Sequence, residues 1–272
     1  MTYFQAAVLG IIQGATEFIP ISSSGHLVIA PYYFGWKIAP DQAFVFDVLV
    51  QVATLTAVIA YFWEDLLTIL SSSVRGLLNR DPWGDPHARL GWLLILATIP
   101  AGFAALLMKD LLEQAFSSPR MAAVFLILTG VMLAAAEYFR KRPLPLKSLR
   151  WNDALWVGFF QVFALFPGIS RSGSTITGGM LRGLSRKDAA RFSFLMSVPI
   201  MLAAGVFGVY DLLQMEQALS QLPVFLVGFV IAALVGYLAI RWLLRFLASR
   251  SLLYFSAYCL GAGLLTLTVT YL

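Results

Sequence analysis

The chain has 272 residues, of which 60% are hydrophobic and only 12% are charged, about half the charged share a soluble domain carries. It cannot clothe a globule of this size in polar side chains, so its outer surface must face lipid. A net charge of +5 carried by so few groups cannot track a phosphate backbone, which excludes nucleic acid as a partner, and the single cysteine, Cys259, excludes an intramolecular disulfide and a thiolate metal cage.

The first apolar stretch lacks a basic flank and contains Glu17, so it reads as part of the fold and not as a signal peptide. It runs over residues 4–35 and is broken by Pro20-Ile21-Ser22-Ser23-Ser24-Gly25-His26. Three runs long enough to cross a bilayer follow at about 44–63, 91–108 and 121–137. A second interrupted stretch covers 154–182, with Pro167-Gly168-Ile169-Ser170-Arg171-Ser172-Gly173-Ser174-Thr175 at its centre, and three further runs lie at 192–213, 222–243 and 252–272. Proline ends an incoming helix, and serine with glycine opens an outgoing one. Each half of the interrupted stretches is too short to span, so both read as re-entrant hairpins.

Setting residues 10–25 against 158–173 at an offset of 148 aligns Gly10 with Gly158, Gln13 with Gln161, Ile21-Ser22 with Ile169-Ser170 and Ser24-Gly25 with Ser172-Gly173. Carried on, the offset pairs Phe44 with Phe192 and Phe46 with Phe194. The expected fold class is therefore an all-α integral membrane protein: six transmembrane helices plus two re-entrant helical hairpins related as inverted-topology repeats. It forms one membrane domain over 1–272, with repeat halves of about 1–137 and 152–272. Counting crossings puts most basic residues, from Arg75 to Arg250 and including Lys141 and Arg142, on one face, and only Lys37, Lys109 and Arg120 on the other. The crowded face is expected to be cytoplasmic, which places both termini outside.

Few ionisable groups remain at membrane depth: Glu17, His26, Arg171 and Asp47. Isolated charges there are costly, so they are expected to converge. Arg171, among Ser170, Ser172, Gly173 and Thr175, suits a bidentate phosphate grip beside a helix N-terminus, with a purely structural pair to Glu17 or Asp47 as the alternative. Gln13 and Glu17 share a helix face. Glu17 can hold a hard divalent cation or act as a base. His26 can protonate a leaving group or accept a phosphoryl group, and Ser23 is a candidate nucleophile, while Ser22, Ser23 and Ser24 can equally serve as helix caps.

At these residues the sequence resembles the bacterial undecaprenyl-diphosphate phosphatase family, also called bacitracin-resistance proteins. The similarity covers essentially the whole chain and is sharpest at Q-G-A-T-E-F-I-P-I-S-S-S-G-H (13–26) and P-G-I-S-R-S-G-S-T (167–175). Where some relatives carry a first glutamate this chain has Gln13, so Glu17 must carry more of that role. The resemblance implies a hydrolase that removes the terminal phosphate of the C55 lipid carrier diphosphate, recycling it for peptidoglycan synthesis and conferring bacitracin resistance. It implies a divalent cation, Mg2+ or alternatively Ca2+, at Glu17, and catalytic roles for Glu17, Ser23, His26 and Arg171. Gln13, Ser24, Asp47, Ser170, Ser172, Gly173 and Thr175 fall to substrate binding. Whether Ser23, His26 or water attacks stays open. The implied setting is the bacterial plasma membrane with the site opening outward; membrane lipid is a partner and a homodimer is allowed. The alternative function for the same architecture is a polyprenyl-phosphate flippase or secondary transporter.

Overall fold

A computed structural model describes residues 1–108, 111, 118–140, 144–213 and 221–271. Lys109, Lys141 and Arg142, assigned to faces above, lie outside the described residues. In chain order the helices are α1 (Tyr3–Phe18), α2 (Ser23–Tyr33), α3 (Pro40–Tyr61), α4 (Trp63–Leu78), α5 (Pro86–Leu107), α6 (Pro119–Tyr138), α7 (Trp151–Phe163), α8 (Arg171–Leu181), α9 (Arg186–Leu213), α10 (Leu222–Phe246) and α11 (Leu253–Tyr271). Among the described residues there is no strand, only an isolated bridge between Leu144 and Leu184.

Six helices, α3, α5, α6, α9, α10 and α11, are long and apolar enough to cross a membrane, and they are the six spans predicted from hydropathy. Helices α3, α5 and α6 begin earlier than their apolar runs because their first turns are led by Pro40, Pro86 and Pro119, and α9 begins earlier through the charged turn at Arg186. Asp85 caps α5 by accepting from the His87 and Ala88 N–H groups, and Ser118 caps α6 by accepting from Met121 N–H. Pro100 and Pro199 lie inside α5 and α9.

Helix α4 was not expected from the sequence. It starts directly where α3 ends and carries Leu67, Leu70, Val74, Leu77 and Leu78 exposed, with Glu64, Asp65 and Arg75 among them. That spacing makes an apolar stripe on a charged helix, the pattern of a helix lying in a membrane interface.

The two interrupted stretches fold alike. Helices α1 and α2 pack together, and Phe4 at the start of α1 stacks edge-on to Trp36, three residues beyond the end of α2, with ring centres 6.2 Å apart. Helices α7 and α8 also pack together, and their outer ends meet where Arg182 Nε donates to Asp153 at 2.6 Å. Contacts between the halves cross over: α1 packs on α10, α7 packs on α5, α3 meets α9 and α6 meets α11.

Glycine sets the closeness of the crossed contacts. A Cβ on Gly10 would sit 2.6 Å from the Gly228 carbonyl oxygen of α10, and one on Gly158 would strike the Ala97 carbonyl of α5. The sequence alignment at an offset of 148 sets these two glycines against each other. Gly10→Ala is therefore expected to destabilise the protein by about 1–3 kcal/mol, because the facing atom is backbone and cannot swing away. Thermal unfolding in detergent measures it; an unchanged midpoint would contradict the close packing.

Candidate active site

Each interrupted stretch turns through a tip in which the serines make the same set of hydrogen bonds. Ser22 accepts from Gly25 N–H at 3.2 Å and contacts the Ser24 hydroxyl at 3.3 Å; Ser170 accepts from Gly173 N–H at 3.0 Å and contacts the Ser172 hydroxyl at 3.1 Å. Ser22 and Ser170 are thus the N-caps of α2 and α8, in registry with the sequence repeat. A neighbouring long helix holds each tip. On α6, Thr129 donates to the Gly168 carbonyl and accepts from Ser170 N–H, both at 3.0 Å. From α11, Cys259 reaches the Pro20 carbonyl and Tyr258 reaches His26.

The tips meet at Glu17. Its Oε1 accepts from Arg171 Nη2 at 2.9 Å, while Oε2 accepts from the Ser23 hydroxyl at 2.6 Å and from Gln13 Nε2 at 3.0 Å. The carboxylate side chain is 10% exposed and the guanidinium 15%, so the pair is poorly hydrated and removal of one partner strands the other. Arg171 also points Nη1 at the Ser193 carbonyl, 3.5 Å away, and Nη2 at Met201 Sδ. Its Nε–H and one further N–H have no protein acceptor among the described residues.

A cavity of about 170 Å3 opens beside this pair, lined at its polar end by Glu17, Ser22, Ser23, Ser24, Ser170 and Arg171. Gln51 from α3 and Gln161 from α7 add amide groups, and Leu165, Ile169, Ile200, Met201 and Ala204 make the apolar wall. Pockets for drug-sized ligands run from about 300 to 1,000 Å3, so this one has room only for a small group. Two helix N-termini, those of α2 and α8, lie at its edge beside Arg171. Their dipoles and the guanidinium favour an anion.

Of the residues singled out from sequence, the structure brings Glu17, Ser23, Ser24, Ser170 and Arg171 to this cavity. Gln13 stands behind it, bonded to Glu17. Ser172, Gly173 and Thr175 are buried in α8 behind the tip; Thr175 donates to the Arg171 carbonyl at 2.8 Å and contacts the Ser193 hydroxyl at 2.6 Å. Asp47 lies on α3 one turn before Gln51 and is not part of the cavity wall. The arginine's alternative reading, a pair with Glu17, holds together with its cavity position: Arg171 does both.

His26 faces away from the cavity. The Ser22 carbonyl can only accept, so His26 Nδ1 donates to it at 2.7 Å; the neutral ring then accepts from the Tyr258 hydroxyl at Nε2, also at 2.7 Å. The same carbonyl takes the His26 backbone N–H at 3.2 Å. Ser22 needs this grip, because its φ of 71° is a left-handed conformation unusual for serine and costs about 1–3 kcal/mol. The histidine thereby fixes the residue before Ser23. Tyr258→Phe removes the hydroxyl that orients the ring, and turnover is expected to fall about fivefold to tenfold with little change in KM. Steady-state kinetics checks this; full activity would show that the ring needs no anchor.

Sequence reasoning did not single out Gln51, Thr129, Gln161 as a site group, or Tyr258. A spacing of four from Asp47 marks Gln51, and the repeat alignment marks Gln161. Gln161 is 2% exposed, and neither its amide nitrogen nor its amide oxygen has a hydrogen-bond partner among the described residues. Leaving such a group unpaired costs about 1–3 kcal/mol.

Residues 6–265 match the family profile described as bacitracin resistance protein BacA. An undecaprenyl-diphosphatase of Myxococcus xanthus is 41% identical over 99% of this chain and 89% of its own length. Those of Thermomicrobium roseum and Prosthecochloris aestuarii are 41% and 40% identical, over 99% of this chain and 98% and 97% of theirs. With the match running through both interrupted helix pairs and every residue around the Glu17 carboxylate, the chain belongs to the bacitracin resistance protein BacA family.

Proposed function

We propose that the chain hydrolyses undecaprenyl diphosphate to undecaprenyl phosphate and inorganic phosphate, recycling the lipid carrier for peptidoglycan synthesis and so conferring bacitracin resistance. Family membership and the diphosphatase names of its relatives support this. The observation that carries it is the Glu17 carboxylate set between a hydroxyl and a guanidinium at a headgroup-sized cavity. Nucleophile and anion grip each stand within hydrogen-bond reach of the base between them.

The diphosphate enters with its terminal phosphate toward Ser23 and its charge against Arg171 and the two helix N-termini. Ser23 Oγ attacks that phosphorus as its proton passes to Glu17, and the bridging P–O bond breaks with its electron pair leaving on undecaprenyl phosphate. Water then attacks the phosphoserine, the Ser23–phosphorus bond breaks with its electron pair on Ser23 Oγ, Glu17 returns its proton to that oxygen, and both protons of the water leave with inorganic phosphate. Arg171 holds the equatorial oxygens in both steps. His26, with both ring nitrogens engaged outside the cavity, positions Ser22 and Ser23 and does not attack.

The donor set suits a hard divalent cation such as Mg2+, or Ca2+, that takes most of its ligands from phosphate and water. Among the described residues no three His, Cys, Asp or Glu groups come together, so Glu17 would be its carboxylate ligand, with amide oxygens of the cavity wall such as that of Gln51 beside it. Bound there, the cation neutralises phosphate charge.

The reading also places the chain in the bacterial plasma membrane, with the interrupted pairs as re-entrant hairpins of an inverted repeat. The meeting of each pair's outer ends and the matched serine caps support it. Both termini and the cavity mouth face outward, following the skew of basic residues, and the prenyl tail lies in lipid along exposed Leu202, Val206 and Phe207 of α9. Purified protein is expected to release phosphate from undecaprenyl diphosphate in detergent, to stop with chelator and to resume with added Mg2+. No release under any of these conditions would sink the proposal.

A further inference from the structure

Gln161 is the one residue of the cavity wall whose side-chain nitrogen and oxygen are both buried and without a hydrogen-bond partner among the described residues, and the sequence alignment of the two halves accounts for it. Its counterpart Gln13 spends its amide N–H on Glu17, one helical turn further on. The position aligned with Glu17 in the second half is Leu165, which also lines the cavity. Gln161 therefore keeps the amide of the pair and lacks the carboxylate. A buried amide of this kind asks for an acceptor, and the space it borders is the one where Arg171 and two helix N-termini favour an anion.

We propose that Gln161 binds the substrate directly, its amide N–H2 donating to a non-bridging phosphate oxygen of the diphosphate. This rests on the diphosphatase reading for the identity of the anion. The bond replaces the one that Gln13 makes to Glu17, with a phosphate oxygen standing where the carboxylate oxygen stands in the first half. The amide oxygen accepts from the water that accompanies so charged a headgroup. Gln161 thus adds a neutral donor on the α7 side of the cavity, where the second half offers no charge. It discriminates against an apolar headgroup, which would leave the amide unpaired in the complex as well.

The stability of the ligand-free protein separates this role from a structural one. Gln161→Leu swaps an unpaired amide for an apolar side chain of similar size, so its unfolding midpoint without ligand should equal or exceed the wild type's. With inorganic diphosphate as probe, the rise in midpoint seen for the wild type should be largely lost. KM for a prenyl diphosphate should rise about tenfold or more, as for loss of a hydrogen bond to a charged group, with a smaller change in kcat. Gln161→Glu should fare worse still in diphosphate binding, since it sets a carboxylate against the anion.

A Gln161→Leu protein that is less stable yet keeps its KM and its response to diphosphate would overturn the assignment and leave Gln161 a structural residue holding internal water. Should the leucine variant not fold, Gln161→Met and Gln161→Glu answer the same question, and unaltered diphosphate binding in both overturns it equally. If the wild type hydrolyses the lipid but the variants match it, only this inference falls. If the wild type binds inorganic diphosphate but does not turn over the lipid, the enzymatic reading falls, and the variants still decide the binding role.

Discussion

Arg171→Lys is expected to lower kcat/KM for phosphate release about 100- to 1,000-fold, the loss seen when one preorganised donor is taken from a developing oxyanion. The arginine is stretched over two tasks, bonding Glu17 at 2.9 Å while keeping its Nε–H and another N–H for the cavity. A planar fork does both at once; an ammonium is a point charge that serves the carboxylate or the phosphate but not both in fixed geometry. Lysine still pairs with Glu17, so the unfolding midpoint should move little, which separates lost chemistry from a lost fold. Retention of a third or more of wild-type kcat/KM would show that the guanidinium is there for the pair alone.

The second large effect falls on Glu17. Glu17→Gln keeps the shape and removes the base, and kcat should drop about 100- to 10,000-fold. KM should stay level or fall, because the carboxylate no longer competes with phosphate for Arg171. Ser23→Ala should cost a similar factor, since the hydroxyl and the carboxylate, 2.6 Å apart, act as one unit. The double variant should then be no worse than either single one, the signature of residues serving one step. Fully additive losses would place the two groups in separate steps and undo the nucleophile and base assignment.

What could be read from the sequence followed from scarcity and from length. Six uninterrupted apolar runs announced six long helices, because a bilayer-spanning helix has no other way to be written. Glu17 and Arg171 stood out since a membrane interior leaves almost no other charge to pair. Helix α4 escaped because its apolar residues recur every three or four positions among charges and never form a run. Tyr258 escaped for the opposite reason: one tyrosine in an apolar helix of a chain with 14% aromatic residues carries no mark of its own. His26 was visible, but the direction it faces depends on the left-handed turn at Ser22, which no spacing rule foretells for a serine. Gln161 was visible only as a match to Gln13; that it lacked a partner needed the three-dimensional neighbourhood.

The separation of Glu17 and Arg171 along the chain, 154 residues, has a consequence for how the protein is made. At roughly 5–20 residues per second of synthesis, the glutamate leaves the ribosome some 8 to 30 seconds before its partner exists. Helix α10, against which α1 packs through Gly10, is later still. For that interval the first tip has neither its counter-charge nor its wall. It must wait outside the hydrocarbon, and it seats only when the second half arrives. Membrane insertion of this chain is thus completed at its beginning, by its end.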